Sequence, residues 1–569
     1  MRAHALLPCR AAVFSLQQVI IVSANRTAPR RRVRLLLAAA ALLGALSLSA
    51  CGGSLVGGGP SVGRGHTLES IIEAHGLVMD DPVAALALFK QLGVDRVRVY
   101  IAWETVAPDP ESRRGPSGFD AANPAAYPAG GWAPYDAIVR VAAADRIGLD
   151  LTVGSPPPLW AAGPGAPRHS LDAAEWEPSA RDFGLFMHAL GERYSGHYRP
   201  RGATKPLPRV DFWSIWNEPN YGPYLAPQGI DKGTVEVGSR LYRGLLDAAW
   251  SSLAATGHTP ATDTILFGET APRASGPAPG NFNGTLPLRF IRALYCLDGS
   301  FKPLRGGAAT ERGCPATAAG SARFAADNPA LFDASGFADH PYPDAEPPTY
   351  VTPPPLGTDY ADFAALGYLE STLDRAAAAY GRHPRFPIYS TEFGYWTNPP
   401  NASALPPVTA AAYLNESEYL SWRNPRIASY DQYQLTDPPP GYGSVFDSGL
   451  EFADGQPKPF VYDAYRMPLW LPVTHATSAT KRLVVWGCVR PAPVVAQRTH
   501  RPQQVAVQFA AAAAAGRAGS FRTLATLTID TAAGCYFETR ERFPGTGTVR
   551  LAWQDGGQTI YSRPQAITL

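Results

Sequence analysis

From about residue 68 onward, short apolar segments alternate with longer amphipathic segments, which is typical of repeated strand and helix units. The apolar segments predict eight strands, at residues 70–78, 94–102, 149–154, 210–216, 264–269, 336–342, 387–393 and 427–435. The intervening segments predict helices, among them residues 179–194, 235–255, 366–380, 410–423 and 459–466. Eight parallel strands, each followed by a helix, predict an α/β fold, a (β/α)8 TIM barrel, over residues 68–470.

The chain changes character after residue 470. Short runs of strand-forming residues separated by turns occupy residues 482–489, 503–509, 523–529, 535–538, 548–553 and 558–562. This pattern predicts a C-terminal β-sandwich domain over residues 471–569. Such a module could bind carbohydrate or could serve for packing and spacing. The second role is favoured, but the sequence leaves both open.

An export signal precedes the barrel. A basic cluster at residues 30–34 is followed by an apolar run at residues 35–48, which has the length of a signal-peptide core and is too short to span a bilayer. The run leads into Leu-Ser-Ala-Cys, which resembles a bacterial lipobox, the motif whose cysteine is acylated. We therefore predict a signal and lipobox segment at residues 1–51, a Gly-rich tether at residues 52–67, and lipidation of Cys51.

Acylation of Cys51 predicts an exported protein anchored by lipid to the bacterial cell envelope, at the cell surface or in the periplasm. Cleavage without lipid would instead release a secreted protein. It fits less well, because bulky Leu48 lies where signal peptidase expects a small residue. The lipid would be the only contact with a membrane.

Cysteine usage agrees with export. Of six cysteines, Cys9 lies upstream of the signal and Cys51 is the expected lipid site. The remaining four fall into two local groups, Cys296 with Cys314 and Cys488 with Cys535. Two disulfides in an oxidising compartment account for them. A zinc site is not expected, because no Cys-x-x-Cys or clustered histidines accompany them.

The charge balance disfavours nucleic-acid binding. The chain has 50 Lys and Arg against 48 Asp and Glu, without a basic stripe. Aromatic residues make up 11% and include 12 tryptophans. Their flat faces can stack on sugars, although a large barrel buries most of its aromatics.

Two predicted strands end in a glutamate. Residues 212–220 read Phe-Trp-Ser-Ile-Trp-Asn-Glu-Pro-Asn, which puts Asn217 and Glu218 at the end of strand four. Residues 386–396 read Phe-Pro-Ile-Tyr-Ser-Thr-Glu-Phe-Gly-Tyr-Trp, which puts Glu392 at the end of strand seven, with Trp396 just beyond. Strands four and seven face each other across a barrel, so these carboxyl groups can converge.

Paired carboxyl groups suit the cleavage of glycosidic bonds. The glycosidic oxygen is a poor leaving group and needs a proton from one carboxylic acid, while a second, ionised carboxylate attacks or shields the anomeric carbon. The alternative is that Glu218 and Glu392 are structural salt-bridge partners. Their pairing beside Asn217 and aromatic residues argues against it.

Trp-Asn-Glu-Pro-Asn and Thr-Glu-Phe-Gly resemble the strand-four and strand-seven signatures of clan A glycoside hydrolases. The first motif is most similar to family 39 and its exopolysaccharide-cleaving relatives, with family 5 cellulases next. The resemblance covers the barrel and implies retention of anomeric configuration through a glycosyl-enzyme. Glu218 would be the acid/base, Glu392 the nucleophile, and Asn217 would hold the sugar 2-hydroxyl.

Three further positions match the clan. Val-Arg-Val at residues 97–99 resembles its arginine strand, where Arg98 would keep the nucleophile ionised, although a buried ion pair would use the same physics. His-Pro-Tyr at residues 340–342 resembles its strand-six His-x-Tyr. Tyr342 would hydrogen-bond the nucleophile, and His340 would contact substrate or support the acid/base; a satisfied core histidine is the alternative.

Trp103 after strand two and Trp160 after strand three are candidate sugar platforms, with core packing as the alternative. The clan's usual tryptophan at the end of strand eight is missing, and Tyr433 or Gln434 could replace it. Glu269, which ends strand five, is interpreted as a substrate hydrogen-bonder or an ion-pair partner.

The sequence therefore predicts a retaining glycoside hydrolase that acts on an extracellular polysaccharide or oligosaccharide without metal or cofactor. We expect a monomer. The alternative is a catalytically inactive, carbohydrate-binding surface lipoprotein.

Overall fold

The computed structural model of the protein describes residues 67–168, 170, 172–274, 276, 278–439, 446–476, 482–512 and 520–569. The predicted signal segment, including Cys51, lies outside the described residues. Among the described helices, none is both long and apolar enough to cross a bilayer.

Eight parallel strands form a closed barrel, which confirms the predicted TIM-barrel fold. In chain order they are β1 (Glu69–Glu73), β2 (Arg96–Ala102), β3 (Gly148–Gly154), β4 (Phe212–Ile215), β5 (Thr264–Thr270), β6 (Gly336–Asp339), β7 (Ile388–Ser390) and β8 (Ile427–Tyr433). Each pairs with its neighbours in sequence, and β8 pairs with β1 to close the ring. A short hairpin, Gly229–Ile230 with Val235–Glu236, lies between β4 and β5.

Helices connect the strands. They are α1 (His75–Asp80), α2 (Pro82–Leu92), α3 (Trp103–Val106), α4 (Ala129–Asp145), α5 (Ala180–Arg193), α6 (Gly238–Ala255), α7 (Pro287–Leu294), α8 (Gly306–Glu311), α9 (Ala318–Asp327), α10 (Ala330–Asp333), α11 (Leu366–Ala378), α12 (Pro407–Arg423), α13 (Val461–Arg466) and α14 (Ala492–Thr499). Sequence signals explain α2: the Asp81 side chain accepts from the backbone N–H of Ala84, and Gly93 ends the helix at φ 77°.

Six of the eight barrel strands are shorter than predicted, and the first and fourth show why. The first ends at Glu73, and the residues predicted to extend it form α1, because a short apolar run fits a helix as well as a strand. The fourth ends at Ile215, since Trp216 (φ 73°) and Glu218 (φ 41°) leave the extended conformation.

Strand β2 shows how the barrel separates apolar from polar positions. Val97, Val99 and Ile101 are buried in the main apolar core. Arg98 lies on the other face of the strand, where its guanidinium is buried among the side chains that fill the barrel. The period of two in a strand therefore puts a charge inside the barrel and apolar residues outside it.

The C-terminal region forms two antiparallel sheets, as predicted. Its strands are β9 (Leu469–Trp470), β10 (Arg482–Cys488), β11 (Gln504–Ala511), β12 (Arg522–Thr528), β13 (Tyr536–Arg542), β14 (Gly547–Asp555), β15 (Gln558–Tyr561) and β16 (Gln565–Ile567). One sheet has the order β9-β10-β13, and the other has β12-β11-β14-β15 with β16 also paired to β14.

A buried polar contact joins these sheets to the barrel. Glu418 on α12 accepts hydrogen bonds from Arg490 at 2.7 Å and from the Tyr536 hydroxyl at 2.8 Å. Both charged side chains are almost fully buried. The contact attaches the C-terminal sheets to the barrel.

Both predicted disulfides are present. Cys296 and Cys314 are bonded with a Cα separation of 5.6 Å, and Cys488 and Cys535 with one of 4.9 Å. The first lies between β5 and β6, and the second joins the ends of β10 and β13.

Candidate active site

The loops after β4 and β7 bring Glu218 and Glu392 to the same end of the barrel. The Glu218 amide donates to the carbonyl of Glu269 at the end of β5, at 2.8 Å, which fixes the turn that carries it. One oxygen each of Glu218 and Glu392 and a ring nitrogen of His340 all lie within 4.8 Å of one another. The side chain of Glu218 is 16% exposed and that of Glu392 is 11% exposed, so both reach the mouth of the barrel.

Arg98 ties together residues from five strands or strand ends. Its Nη1 donates to Glu392 Oε1 at 2.7 Å and also contacts Glu73, the residue opposite Arg98 in the β1–β2 pairing. Its Nη2 donates to Glu269 Oε2 at 2.8 Å and to Asn217 Oδ1 at 2.9 Å. The guanidinium therefore orients the predicted nucleophile and, at the same time, the amide beside the predicted acid.

His340 lies between the carboxylates. Its Nδ1 is 3.1 Å from Glu218 Oε1 and 3.6 Å from Glu392 Oε2, and its Nε2 is 2.8 Å from Glu269 Oε2. The Tyr342 hydroxyl donates to Glu392 Oε2 at 3.1 Å. His340 is therefore beside Glu218, and Tyr342 beside Glu392, as the sequence motif predicted for these side chains.

The electrostatics of Glu392 differ from the expectation that Arg98 keeps it ionised. Burial raises the pKa of Glu392 to about 7, against the lowering effects of His340 and Arg98. A carboxylate with this pKa is ionised in only part of the molecules at neutral pH. The arginine is in the predicted place, but loss of water around Glu392 has the larger effect.

The surroundings shift the pKa values of Glu269 and His340 in opposite directions. Burial opposes ionisation of Glu269, but Arg98 and His340 lower its pKa to about 2. Burial also lowers the pKa of His340, but Glu392, Glu218 and Glu269 raise it well above the ordinary value. Each residue therefore stabilises the charged form of the other.

One oxygen each of Glu218 and Glu392 and a ring nitrogen of His340 are close enough together to bind a single metal ion. Both nitrogens of His340, however, already face carboxylates at hydrogen-bond distance. A ring nitrogen that donates a hydrogen bond to a carboxylate has no lone pair for a metal ion. The geometry favours a hydrogen-bonded acid–base cluster over a metal centre.

The predicted sugar platforms lie in different surroundings. Trp103 is fully buried and its ring stacks on Phe186, so neither face is open to a sugar and its prediction as a platform is wrong. Trp160 is partly exposed, with its ring edge against Trp103 and its Nε1 donating to the carbonyl of Pro108.

Trp396 packs against Phe446 near the mouth of the barrel. The two rings are 6.0 Å apart, and Phe446 is also 5.9 Å from Tyr342 and 5.5 Å from Tyr433. Tyr433, one of the two proposed replacements for the missing tryptophan, is therefore part of the aromatic wall next to Glu392.

Two residues of the site escaped the sequence analysis. Glu73 carries the same signal as Glu218, a carboxylate at the end of a strand, but the overlong first strand hid it. Phe446 lies in a loop after β8 that has no recognisable motif, and no sequence signal could have found it.

No protein-family model matches the chain, and no curated protein sequence is significantly similar to it. Among solved structures, the chain is similar to a family 39 glycoside hydrolase from Bacteroides cellulosilyticus, with 14% identity, a TM-score of 0.43, and coverage of 84% of this chain and 81% of that one. It is also similar to a glucosidase from Croceicoccus marinus, with 10% identity, a TM-score of 0.44, and coverage of 85% and 95%.

A family 1 β-glucosidase from Thermotoga maritima has 14% identity and a TM-score of 0.40, with coverage of 67% of this chain and 84% of that one. These likenesses concern the barrel fold and do not bear on substrate or mechanism.

Proposed function

We propose that the protein is a retaining glycoside hydrolase, with Glu218 as acid/base and Glu392 as nucleophile, that acts on an extracellular polysaccharide or oligosaccharide. The observation that carries the proposal is the convergence of these two carboxyl groups at the barrel mouth. Retaining enzymes hold their carboxyl groups about 5–5.5 Å apart, and inverting enzymes about 6.5–9.5 Å apart. One oxygen of Glu218 and one of Glu392 lie within 4.8 Å of each other, so the two carboxyl groups are close enough for the shorter, retaining spacing.

The contacts of the two glutamates support different roles. Glu392 accepts from Arg98 and Tyr342, so its orientation is fixed and donors stabilise its ionised form, as a nucleophile requires. Among the described residues, the hydrogen-bond partner of the Glu218 side chain is His340, and Glu218 is the more exposed of the two glutamates. It is therefore better placed to exchange a proton with a leaving group and with water.

In the first step, a carboxylate oxygen of Glu392 attacks the anomeric carbon, the bond to the glycosidic oxygen breaks, and Glu218 gives that oxygen its proton. In the second step, Glu218 takes a proton from water as the water oxygen attacks the anomeric carbon. The ester bond to Glu392 then breaks and restores the carboxylate. Asn217, which is oriented by Arg98, is placed to hold the sugar 2-hydroxyl.

The test is to incubate purified residues 66–569 with a panel of bacterial and plant polysaccharides and to size the products by chromatography. Proton NMR of the first product formed gives the anomeric configuration. Retention supports the proposal, and inversion contradicts it. Binding without turnover across the panel would instead favour an inactive carbohydrate-binding protein.

The proposed location is outside the cytoplasm. Two disulfides support folding in an oxidising compartment. The lipid anchor at Cys51 remains a proposal from the sequence. Metabolic labelling with a palmitate analogue, compared between the full chain and Cys51→Ala, tests it; equal labelling of both would contradict the anchor.

A further inference from the structure

Glu269 ends β5 beneath the two glutamates to which we assign the chemistry. Its side chain is 0% exposed, so it cannot reach a substrate in the cleft. One oxygen, Oε2, lies 2.8 Å from Arg98 Nη2 and 2.8 Å from His340 Nε2. The sequence interpretation as a substrate hydrogen-bonder therefore does not fit, and the ion-pair interpretation does.

These contacts determine where the protons of His340 lie. An ionised carboxylate only accepts hydrogen bonds, so the His340 Nε2 that faces Glu269 carries a hydrogen. The other nitrogen, Nδ1, faces Glu218 and Glu392. A hydrogen on Nδ1 as well would be stabilised by both.

The charged groups around Glu269 and His340 favour the doubly protonated, cationic form of His340. Three carboxylates on three different strand ends face the His340 ring, those of Glu218, Glu269 and Glu392. Asp339, its neighbour on β6, is also buried, and Thr270 donates to it at 2.6 Å. Among the described residues, Arg98 is the other cation in contact with Glu269. Buried Asp150, on β3, is near enough to feel the charge of Glu269.

We propose that Glu269 is a positioning residue that holds His340 with hydrogens on both ring nitrogens, so that a fixed cation lies between Glu218 and Glu392. The proposal rests on the function proposed above. The cation favours ionised Glu392 for attack on the anomeric carbon. It favours ionised Glu218 as well, which suits the second step, when Glu218 must take a proton from water, and opposes the protonated form that acts in the first step.

The proposal predicts the sign of an effect on Glu392. If Glu269 acted on Glu392 only through its own negative charge, removing that charge would lower the pKa of Glu392. If it acts through His340, removing it discharges the imidazolium, and the pKa of Glu392 rises instead. Nδ1 of His340 lies 3.6 Å from Glu392 Oε2, so discharging the imidazolium removes a positive charge in close contact with Glu392, and the indirect effect should prevail.

The experiment is NMR of the full chain without its signal segment, labelled with ¹⁵N-histidine and, separately, with ¹³C-carboxyl glutamate. Signals of His340 and Glu392 are assigned by their loss in His340→Asn and Glu392→Gln. In the wild type, both nitrogens of His340 should carry hydrogens at pH 8. A wild-type His340 that is neutral at pH 7 would overturn the proposal without any variant.

In Glu269→Gln, the His340 titration should move down by about one pH unit or more, and the Glu392 titration should move up. The matched control is Asp150→Asn, which removes a buried carboxyl group near Arg98 without touching His340 and should leave both His340 nitrogens protonated. If the pKa of Glu392 falls in Glu269→Gln, or if the pKa of His340 does not change, Glu269 is only a structural ion-pair partner.

Adding Glu269→Gln to His340→Asn isolates the direct effect of the Glu269 charge, because His340 is absent from both proteins. The pKa of Glu392 should then fall. If Glu269→Gln does not fold, Glu269→Asp keeps the charge but withdraws it from Nε2, and His340 should titrate below its wild-type range. None of these readouts needs turnover. A chain without glycosidase activity would therefore contradict the proposed function and still decide the role of Glu269.

Discussion

Nη1 of Arg98 lies 2.7 Å from Oε1 of Glu392, although the two residues are 294 positions apart in the chain. The closure of the barrel makes this contact, because Arg98 points inward from β2 and Glu392 follows the end of β7. The same guanidinium reaches Glu269. The charge of Arg98 therefore acts on both the proposed nucleophile and the residue that positions His340.

Glu392→Gln should lower turnover by roughly 10⁴-fold or more while the fold persists, because an amide oxygen cannot form the glycosyl-enzyme. Steady-state kinetics on the most active substrate of the panel measures the loss, and circular dichroism checks the fold. Glu192→Gln, an exposed change on α5, is the matched control and should be neutral. Substantial activity in Glu392→Gln would exclude Glu392 as nucleophile.

Glu218→Ala should affect substrates according to their leaving groups. A phenolate with a low pKa leaves without a proton, so aryl glycosides should keep their rate of glycosylation, and natural linkages should lose roughly 10²–10⁴-fold. Pre-steady-state measurement of phenol release separates the first step from the second. An equal loss on aryl and natural substrates would mean that Glu218 is not the acid.

Because burial raises the pKa of Glu392 to about 7, kcat/KM should fall as the pH drops below neutrality and the nucleophile takes up a proton. Arg98 lowers that pKa, so Arg98→Met should raise it and move the acid limb to higher pH by about one unit.

Arg96→Met is the matched control for this prediction. Arg96 lies two residues earlier on β2 and binds Glu69 instead of Glu392, so its loss should leave the acid limb in place. An unshifted acid limb in Arg98→Met, with the fold intact, would show that the guanidinium is structural.

Glu418→Ala should destabilise the protein by about 3–5 kcal/mol, because it leaves Arg490 as a buried charge without its partner. Chemical denaturation gives the free energy of unfolding. Glu538→Ala, a change on β13 beyond this contact, is the control and should cost little. A small effect of Glu418→Ala would mean that the C-terminal sheets need no polar anchor on the barrel.

The sequence by itself determined the barrel fold and the strand ends that carry Glu218 and Glu392. Strand patterning of period two and helices of period 3.6 are local, so eight strands could be counted from the chain. The carboxyl ends of parallel strands meet at one end of a barrel, so the strand pattern alone places Glu218 and Glu392 at the same end. The grouping of the four cysteines along the chain was also enough to predict both disulfide pairings.

Only the tertiary structure decided what each side chain touches. Trp103 follows its strand as a sugar platform would, but packing against Phe186 buries it. Glu73 joins Arg98 because the register of β1 and β2 places the two opposite each other. The pKa of Glu392 depends on how completely the surrounding loops exclude water, and Glu269 meets His340 through the convergence of two strands. Burial, register and convergence arise from contacts between distant segments, and the local pattern of a sequence does not contain them.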